Sequence, residues 1–275
     1  MSTPVPAEPA PAEIVTRLRA AGCVFAEEEA QLLVAAAAGP AQLSAMVERR
    51  AGGMPLEHVV GWAGFCGLRI AVGPGVFVPR RRTEFLVRRA VSGWAGGKRA
   101  GGRPPVVLDL CCGSGAVGVA VAAALPGAAL YAADIDPAAV AWARRNVLPA
   151  GGQVYQGDLF GPLPDALRGH VDILAVNVPY VPTGEIPLLP AEARDHEPRV
   201  ALDGGPDGLA VLRRVAAQAA RWLAPGGRLL TEASEGQAQA AAAILAGGGL
   251  TAAVTSDDEL GATVVTAARE PAPGP

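Results

Sequence analysis

The spacing of apolar positions divides the chain into two regimes. From Ala12 to about Gly52 they recur at helical intervals. Ile14, Val15 and Leu18 share one face, Leu32 and Leu33 fall in a second segment, and Leu43, Met46 and Val47 in a third. Gly39-Pro40 and Gly52-Gly53 punctuate these segments, and Pro40 suits a first helical position, where its missing N–H costs nothing. Residues 68–72 alternate as a short strand beside the turn signal Gly73-Pro74-Gly75, and an apolar-periodic helix follows Glu84 through Val91. From Pro105 onward, short apolar runs alternate with helical stretches. Strands are expected at Val106–Leu110, Ala129–Asp134, 152–156, Val171–Val176, 228–232, 251–255 and 263–268. That rhythm implies a mostly parallel sheet with helices on both faces. The last two runs are separated only by Ser256 to Gly261, too short for a crossover, so they form an antiparallel hairpin. The Pro/Ala-rich residues 1–11 are expected to be disordered, and Gly96 to Pro105 to form a loop.

Composition narrows the classes. A hydrophobic content of 51% over 275 residues is ample for a core, and a net charge of −3 gives no global field favouring nucleic acid. Cys23, Cys66, Cys111 and Cys112 form no CxxC pair, and with only three histidines neither a zinc cage nor a disulfide framework is expected. The uncharged stretch from Gly115 to Ala133 has the length of a membrane span. Pro126-Gly127 interrupts it and Asp109 and Asp134 bracket it, so it reads as helix, turn and strand. The amino terminus lacks the basic and apolar regions of a signal peptide, so a cytoplasmic location is expected. The arginines 80–82 read as a solvated face, with a local phosphate contact as the functional alternative.

Two stretches carry candidate chemistry. The first runs from strand through a glycine turn into a helix: Asp109, Leu110, Cys111, Cys112, Gly113, Ser114 and Gly115, with Gly118 following. Such glycines let a ligand approach the backbone at a helix N-terminus. Gly113, Gly115 and Gly118 satisfy the dinucleotide fingerprint, and Asp134 follows Gly113 by 21 residues, so a nicotinamide dehydrogenase competes. Against it, Asp109 at the strand end would repel a pyrophosphate but suits the cationic amino-acid portion of S-adenosylmethionine. Asp134 can then accept from both ribose hydroxyls, while Asp136 before Pro137 reads as a helix N-cap. Asp158 can accept from the adenine amine, with Leu159 against the ring. The second stretch ends the fourth strand at Asn177, Val178, Pro179 and Tyr180. The Asn177 side chain and the Val178 main chain offer two acceptors and Tyr180 a flat face, which suit a planar group bearing an NH2. An ordinary strand-to-loop turn explains the tetrapeptide alone equally well.

Taken together, residues 12–270 resemble the HemK/PrmC family of protein-glutamine methyltransferases. Members typically show Pro-Arg-Pro-Glu-Thr-Glu, Asp-Leu-Gly-Thr-Gly-Ser-Gly and Asn-Pro-Pro-Tyr. Here the matching positions are Pro79-Arg80-Arg81-Arg82-Thr83-Glu84, Asp109 to Gly115, and Asn177 to Tyr180; the segment Arg194 to Leu209 also looks family-specific. Cys111 and Cys112 stand for Gly-Thr, Arg81 and Arg82 for Pro-Glu, and Val178 for the first proline, which suggests a paralogue whose protein substrate differs. The resemblance implies an α/β fold, a class I S-adenosylmethionine-dependent methyltransferase, Rossmann-like, with a C-terminal antiparallel hairpin. Its expected parts are a helical substrate-recognition domain at 12–54, a linker with a short hairpin and helix at 55–104, a methyltransferase domain at 105–270 and a tail at 271–275. The implied reaction methylates a glutamine side-chain amide, typically in the Gly-Gly-Gln loop of a peptide chain release factor. Asn177, Val178, Pro179 and Tyr180 would form the catalytic site. Asp109, Cys111, Cys112, Gly113, Ser114, Gly115, Asp134, Asp158, Leu159 and Asn177 would hold the cofactor, without a metal. Neither a membrane nor direct nucleic-acid binding is expected. A nucleic-acid amino-methyltransferase and a nucleotide-binding module that has lost catalysis are the alternatives.

Overall fold

A computed structural model describes residues 11–92, 94 and 103–271. The expected disorder of residues 1–11 therefore lies outside the described residues except at Pro11, and so do most of the expected loop at 96–105 and most of the tail.

Helices α1 (Pro11–Ala20), α2 (Ala26–Ala36), α3 (Pro40–Ala51) and α4 (Leu56–Val60) open the chain, with Pro40 in the first turn of α3 as its stiff φ favours. Ile14, Leu18, Leu33, Leu43, Met46, Val47 and Val59 make a core of their own. Leu32 instead points outward, 39% exposed, because its neighbour Leu33 takes the inward position. Buried Arg50 donates to both Glu29 oxygens, at 2.6 and 2.9 Å, and to the Met54 carbonyl at 3.0 Å. A paired buried charge of this kind costs little only while both partners remain.

Strands β1 (Trp62–Phe65) and β2 (Leu68–Ala71) pair antiparallel across Cys66-Gly67, both residues at positive φ. The hairpin thus turns at Cys66-Gly67, whereas Gly73-Pro74-Gly75 leads out of it. A short turn then enters α5 (Glu84–Ser92). Phe65, Ile70, Val72, Phe85 and Leu86 are buried in the same cluster as Val107 of the main sheet, so this segment packs on the sheet as one body with it.

The main sheet is formed by β3 (Val106–Leu110), β4 (Ala129–Asp134), β5 (Gln153–Gln156), β6 (Val171–Val176), β7 (Leu223–Ala233), β8 (Thr251–Asp257) and β9 (Ala262–Ala268). Its order is β5-β4-β3-β6-β7-β9-β8; the first five strands run parallel and β9 is antiparallel to both neighbours. Helices α6 (Ala116–Ala124) and α7 (Pro137–Val147) connect the early strands. Between β6 and β7 lie α8 (Ala191–His196), α9 (Arg199–Leu202) and α10 (Ala210–Trp222), and α11 (Ala238–Gly247) precedes β8. Strand β7 begins five residues before the expected 228, because the Pro225-Gly226-Gly227 interruption conceals its start in the sequence. All six residues of β6 are buried, as expected of a strand covered on both faces. The strand order reverses at β3, whose neighbours are β4 and β6, and the carboxyl ends of these three strands are where such a sheet opens a binding crevice. No helix among the described residues is long and apolar enough to cross a membrane.

Candidate active site

The glycine turn after β3 is fixed by two carboxylates. Asp109, 1% exposed, accepts the Gly118 N–H at 2.8 Å, and burial pushes its pKa up to about 8. A Cβ at Gly118 would lie 2.8 Å from the Asp109 Cβ, so this glycine is needed for close approach. Asp134 accepts Gly113 N–H at 2.8 Å and Asp136 N–H at 2.9 Å, joining the turns after β3 and β4; burial raises its pKa as well. Asp136 caps α7 through Ala138 N–H, as expected. Cys111 stands at φ 56°, a left-handed conformation natural to the glycine it replaces. Burial raises the pKa values of the Cys111 and Cys112 thiols, so neither is an activated nucleophile. Asn146 of α7 donates to the carbonyls of Ser114 and Ala71 and accepts the Ala71 N–H, tying the glycine turn to β2.

At the end of β6, Asn177 Oδ1 is buried with no hydrogen-bond partner among the described residues. Val178, 3% exposed, sinks its side chain into the core between sheet and α10. The Tyr180 hydroxyl accepts from Arg82 at 2.7 Å and donates to Glu232 at 2.9 Å, and its pKa is raised to about 12, chiefly by burial. Glu232 of β7 also accepts from Arg82 at 2.7 Å and Thr83 at 2.6 Å. The arginine run is therefore not simply a solvated face. Arg80 pairs with Glu197 and Arg82 with Glu232, because each finds a buried carboxylate within reach, while Arg81 stays exposed. The glycine-rich segment after α9 clasps the tetrapeptide from behind. Gly204 N–H donates to Val181, Val181 N–H to Leu202, and Gln237 to the Tyr180 carbonyl. A Cβ at Gly204 would meet the Pro179 carbonyl at 2.7 Å, and one at Gly208 the Tyr180 carbonyl at 2.2 Å.

One cavity of about 500 Å³, within the usual span for small-molecule sites, brings the two stretches together. Asp109, Cys111, Cys112, Gly113, Ser114, Asp134, Asp158, Leu159, Asn177, Val178, Pro179 and Tyr180 all line it. Gly115 does not: it packs against α7, where a Cβ would lie 2.7 Å from Val147. Asp158 lines the rim with its carboxylate paired to Arg214 of α10, a partner that the sequence did not indicate. Glu197 was also missed. Its side chain is fully buried, one oxygen accepting from Val78 N–H at 3.1 Å and Arg80 at 2.6 Å, while Oε2 has no partner among the described residues. Its only sequence signal is its position in the segment 194–209.

Residues 99–186 match the family model described as Methyltransferase small domain. The release factor glutamine methyltransferase of Geobacter sulfurreducens is 37% identical over 235 residues, 84% of this chain and 79% of that protein. A 4-amino-L-phenylalanine/4-methylamino-L-phenylalanine methyltransferase of Streptomyces pristinaespiralis is 40% identical over 186 residues, 68% of this chain and 63% of that protein. Among solved structures, the 16S rRNA N2 G1207 methyltransferase of T. thermophilus, in complex with AdoMet and guanosine, shares the fold. Its TM-score is 0.54 at 21% identity, over 76% of this chain and 50% of that one. With the strand order, the turn after β3 and the orphaned amide after β6 in place, the similarity over most of both chains settles the family: this chain belongs to the release factor glutamine methyltransferases.

Proposed function

We propose that the chain methylates the side-chain amide nitrogen of a glutamine in a peptide chain release factor, at its Gly-Gly-Gln loop, in the cytoplasm. The observation that carries this reading is Asn177, which lines the cavity and whose buried Oδ1 has no hydrogen-bond partner among the described residues. A buried acceptor without a protein partner is matched by a donor from outside the chain, water or ligand, and a primary amide brings two N–H donors in one plane.

The cavity residues fit S-adenosylmethionine, which when bound supplies a methyl group activated by a sulfonium. Each Asp134 oxygen holds one backbone N–H and keeps a further lone pair for a ribose hydroxyl. A Cβ at Gly113 would meet nothing within 4 Å, so the turn presents open backbone to the cavity. Leu159 offers an apolar wall beside it.

An amide nitrogen is a poor nucleophile because its lone pair is delocalised into the carbonyl. In this reading the Asn177 side chain and the Val178 carbonyl each accept one of its hydrogens, and Tyr180 packs against the amide plane. The Arg82–Glu232 pair fixes Tyr180 by its hydroxyl, so the ring holds its place before substrate arrives. Such a site works by orientation and fixed dipoles, not by a covalent intermediate.

The test is incubation with methyl-labelled S-adenosylmethionine and one of three acceptors: purified release factor, nucleic acid, or 4-amino-L-phenylalanine, the compound named for the Streptomyces relative. Label on the Gly-Gly-Gln glutamine of the release factor is the expected outcome. Label on either of the other two instead overturns the reading.

A further inference from the structure

In the reading above, the methyl group meets the amide beside Asn177 at the end of β6, and the ribose lies on Asp134 at the end of β4. The strands run in the order β5-β4-β3-β6, so the base continues towards the end of β5. The turn there is Gly157-Asp158-Leu159. Gly157 N–H donates to the Asp134 carbonyl at 2.9 Å, and Gly161 N–H to the Asp158 carbonyl at 3.0 Å, which fixes the Asp158 main chain. Its side chain lines the cavity and is 52% exposed, so a partner must give it a direction. Arg214 is that partner. Its guanidinium bonds Asp158 Oδ2, whereas Oδ1 has no partner among the described residues. Val211, one turn earlier on α10, lines the cavity together with Arg214, so this face of the helix borders the site. Burial, then Asp134, Asp109 and Asp158, raise the pKa of the Cys111 thiol and Arg214 lowers it, so both charges of the pair face the turn after β3.

We propose that Arg214 is a positioning residue for the cofactor: it holds the Asp158 carboxylate with Oδ1 towards the adenine amine, and so selects adenine over a 6-oxo purine. The inference rests on the cofactor placement above and deepens it. An ionised carboxylate only accepts hydrogen bonds. It pairs with the exocyclic amine of adenine, a donor, and repels the carbonyl oxygen that hypoxanthine carries at the same position. Without Arg214 the half-exposed carboxylate turns into water, and both the attraction and the repulsion fade.

The variants are Arg214→Gln, Asp158→Ala and the double variant, with melting temperatures checked. Calorimetry measures their affinities for S-adenosylhomocysteine and for S-inosylhomocysteine, which differs only in the base. Wild type is measured first; absence of S-adenosylhomocysteine binding overturns the cofactor placement and this inference together. Given binding, wild type should prefer the adenine ligand. Arg214→Gln should weaken S-adenosylhomocysteine roughly two- to fivefold, the range of an exposed ion pair, without weakening S-inosylhomocysteine. The ratio of the two affinities therefore narrows by that factor, which a merely structural loss would not do. In the Asp158→Ala background, Arg214→Gln should add nothing. An unaltered ratio, or a further loss in the double variant, overturns the proposal and leaves the cofactor placement standing.

Discussion

Asn177 and Val178 are neighbours with opposite environments, and this separates their expected phenotypes. Asn177 holds a buried acceptor with no partner among the described residues. Asn177→Ala should cut turnover by roughly a hundredfold or more, as for a lost positioned dipole, without lowering the melting temperature, since no internal hydrogen bond is lost. Val178→Ala should do the reverse. Its side chain packs in the core, so truncation should cost about 1–3 kcal/mol in urea unfolding, while the main-chain carbonyl and most turnover persist. Kinetics and unfolding curves on both variants check this; a deeper loss of turnover in Val178→Ala would mean that the valine side chain serves the reaction. At this scale the sequence was informative where a side chain's chemistry is carried by its own local stretch. Asp134, Asn177 and Tyr180 could be read because a strand end places each of them. Glu197 could not, because its burial depends on Val78 and Arg80, more than a hundred positions earlier. Arg82 was hidden for the same reason, its partners Tyr180 and Glu232 lying on two later strand ends.

Among the elements, the strap from α8 to the start of α10 does more than connect β6 to β7. Its glycines lie against the backbone of the tetrapeptide so closely that no side chain fits at Gly204. Gly204→Ala would put a methyl group 2.5 Å from the Gly208 carbonyl oxygen of the strap and 2.7 Å from that of Pro179, and both are backbone atoms, so relieving the clash shifts the strap and the tetrapeptide against each other. A displacement of about 1 Å is enough to lower turnover roughly a hundredfold. Affinity for S-adenosylhomocysteine, governed by the turns after β3 and β4, should change little. Normal turnover in this variant would show that the strap does not set the tetrapeptide's position. The regular elements were legible because a buried parallel strand and an amphipathic helix impose distinct periods on the chain. The start of β7 and the strap were not, since glycine and proline mark a turn, an interrupted strand and a close backbone contact with the same letters.

Across the whole molecule, Arg50 reaches from the amino-terminal helices to Glu192 on the strap, whose residues line the cavity. The helices therefore touch the catalytic half at a residue that lines the cavity. Glu192→Gln should cut this link and leave the Arg50–Glu29 pair intact. The expected result is a several-fold lower kcat/KM for release factor with unaltered cofactor affinity, a modest effect because Glu192 is 48% exposed. Steady-state kinetics and calorimetry on the variant measure both; an unaltered kcat/KM would mean that the contact is only a surface ion pair. The order of the sheet has a temporal consequence. Strand β9 lies between β7 and β8 although it follows both in the chain, and among the described residues β8 pairs with no other strand. During synthesis, β7 therefore waits as an open edge, able to pair with any other nascent strand, until residues 262–268 emerge. The two late strands close locally and then dock as one hairpin. Because Glu232, the anchor of Tyr180, sits on that edge opposite Val264, pairing with β9 also completes the support of the Tyr180 wall.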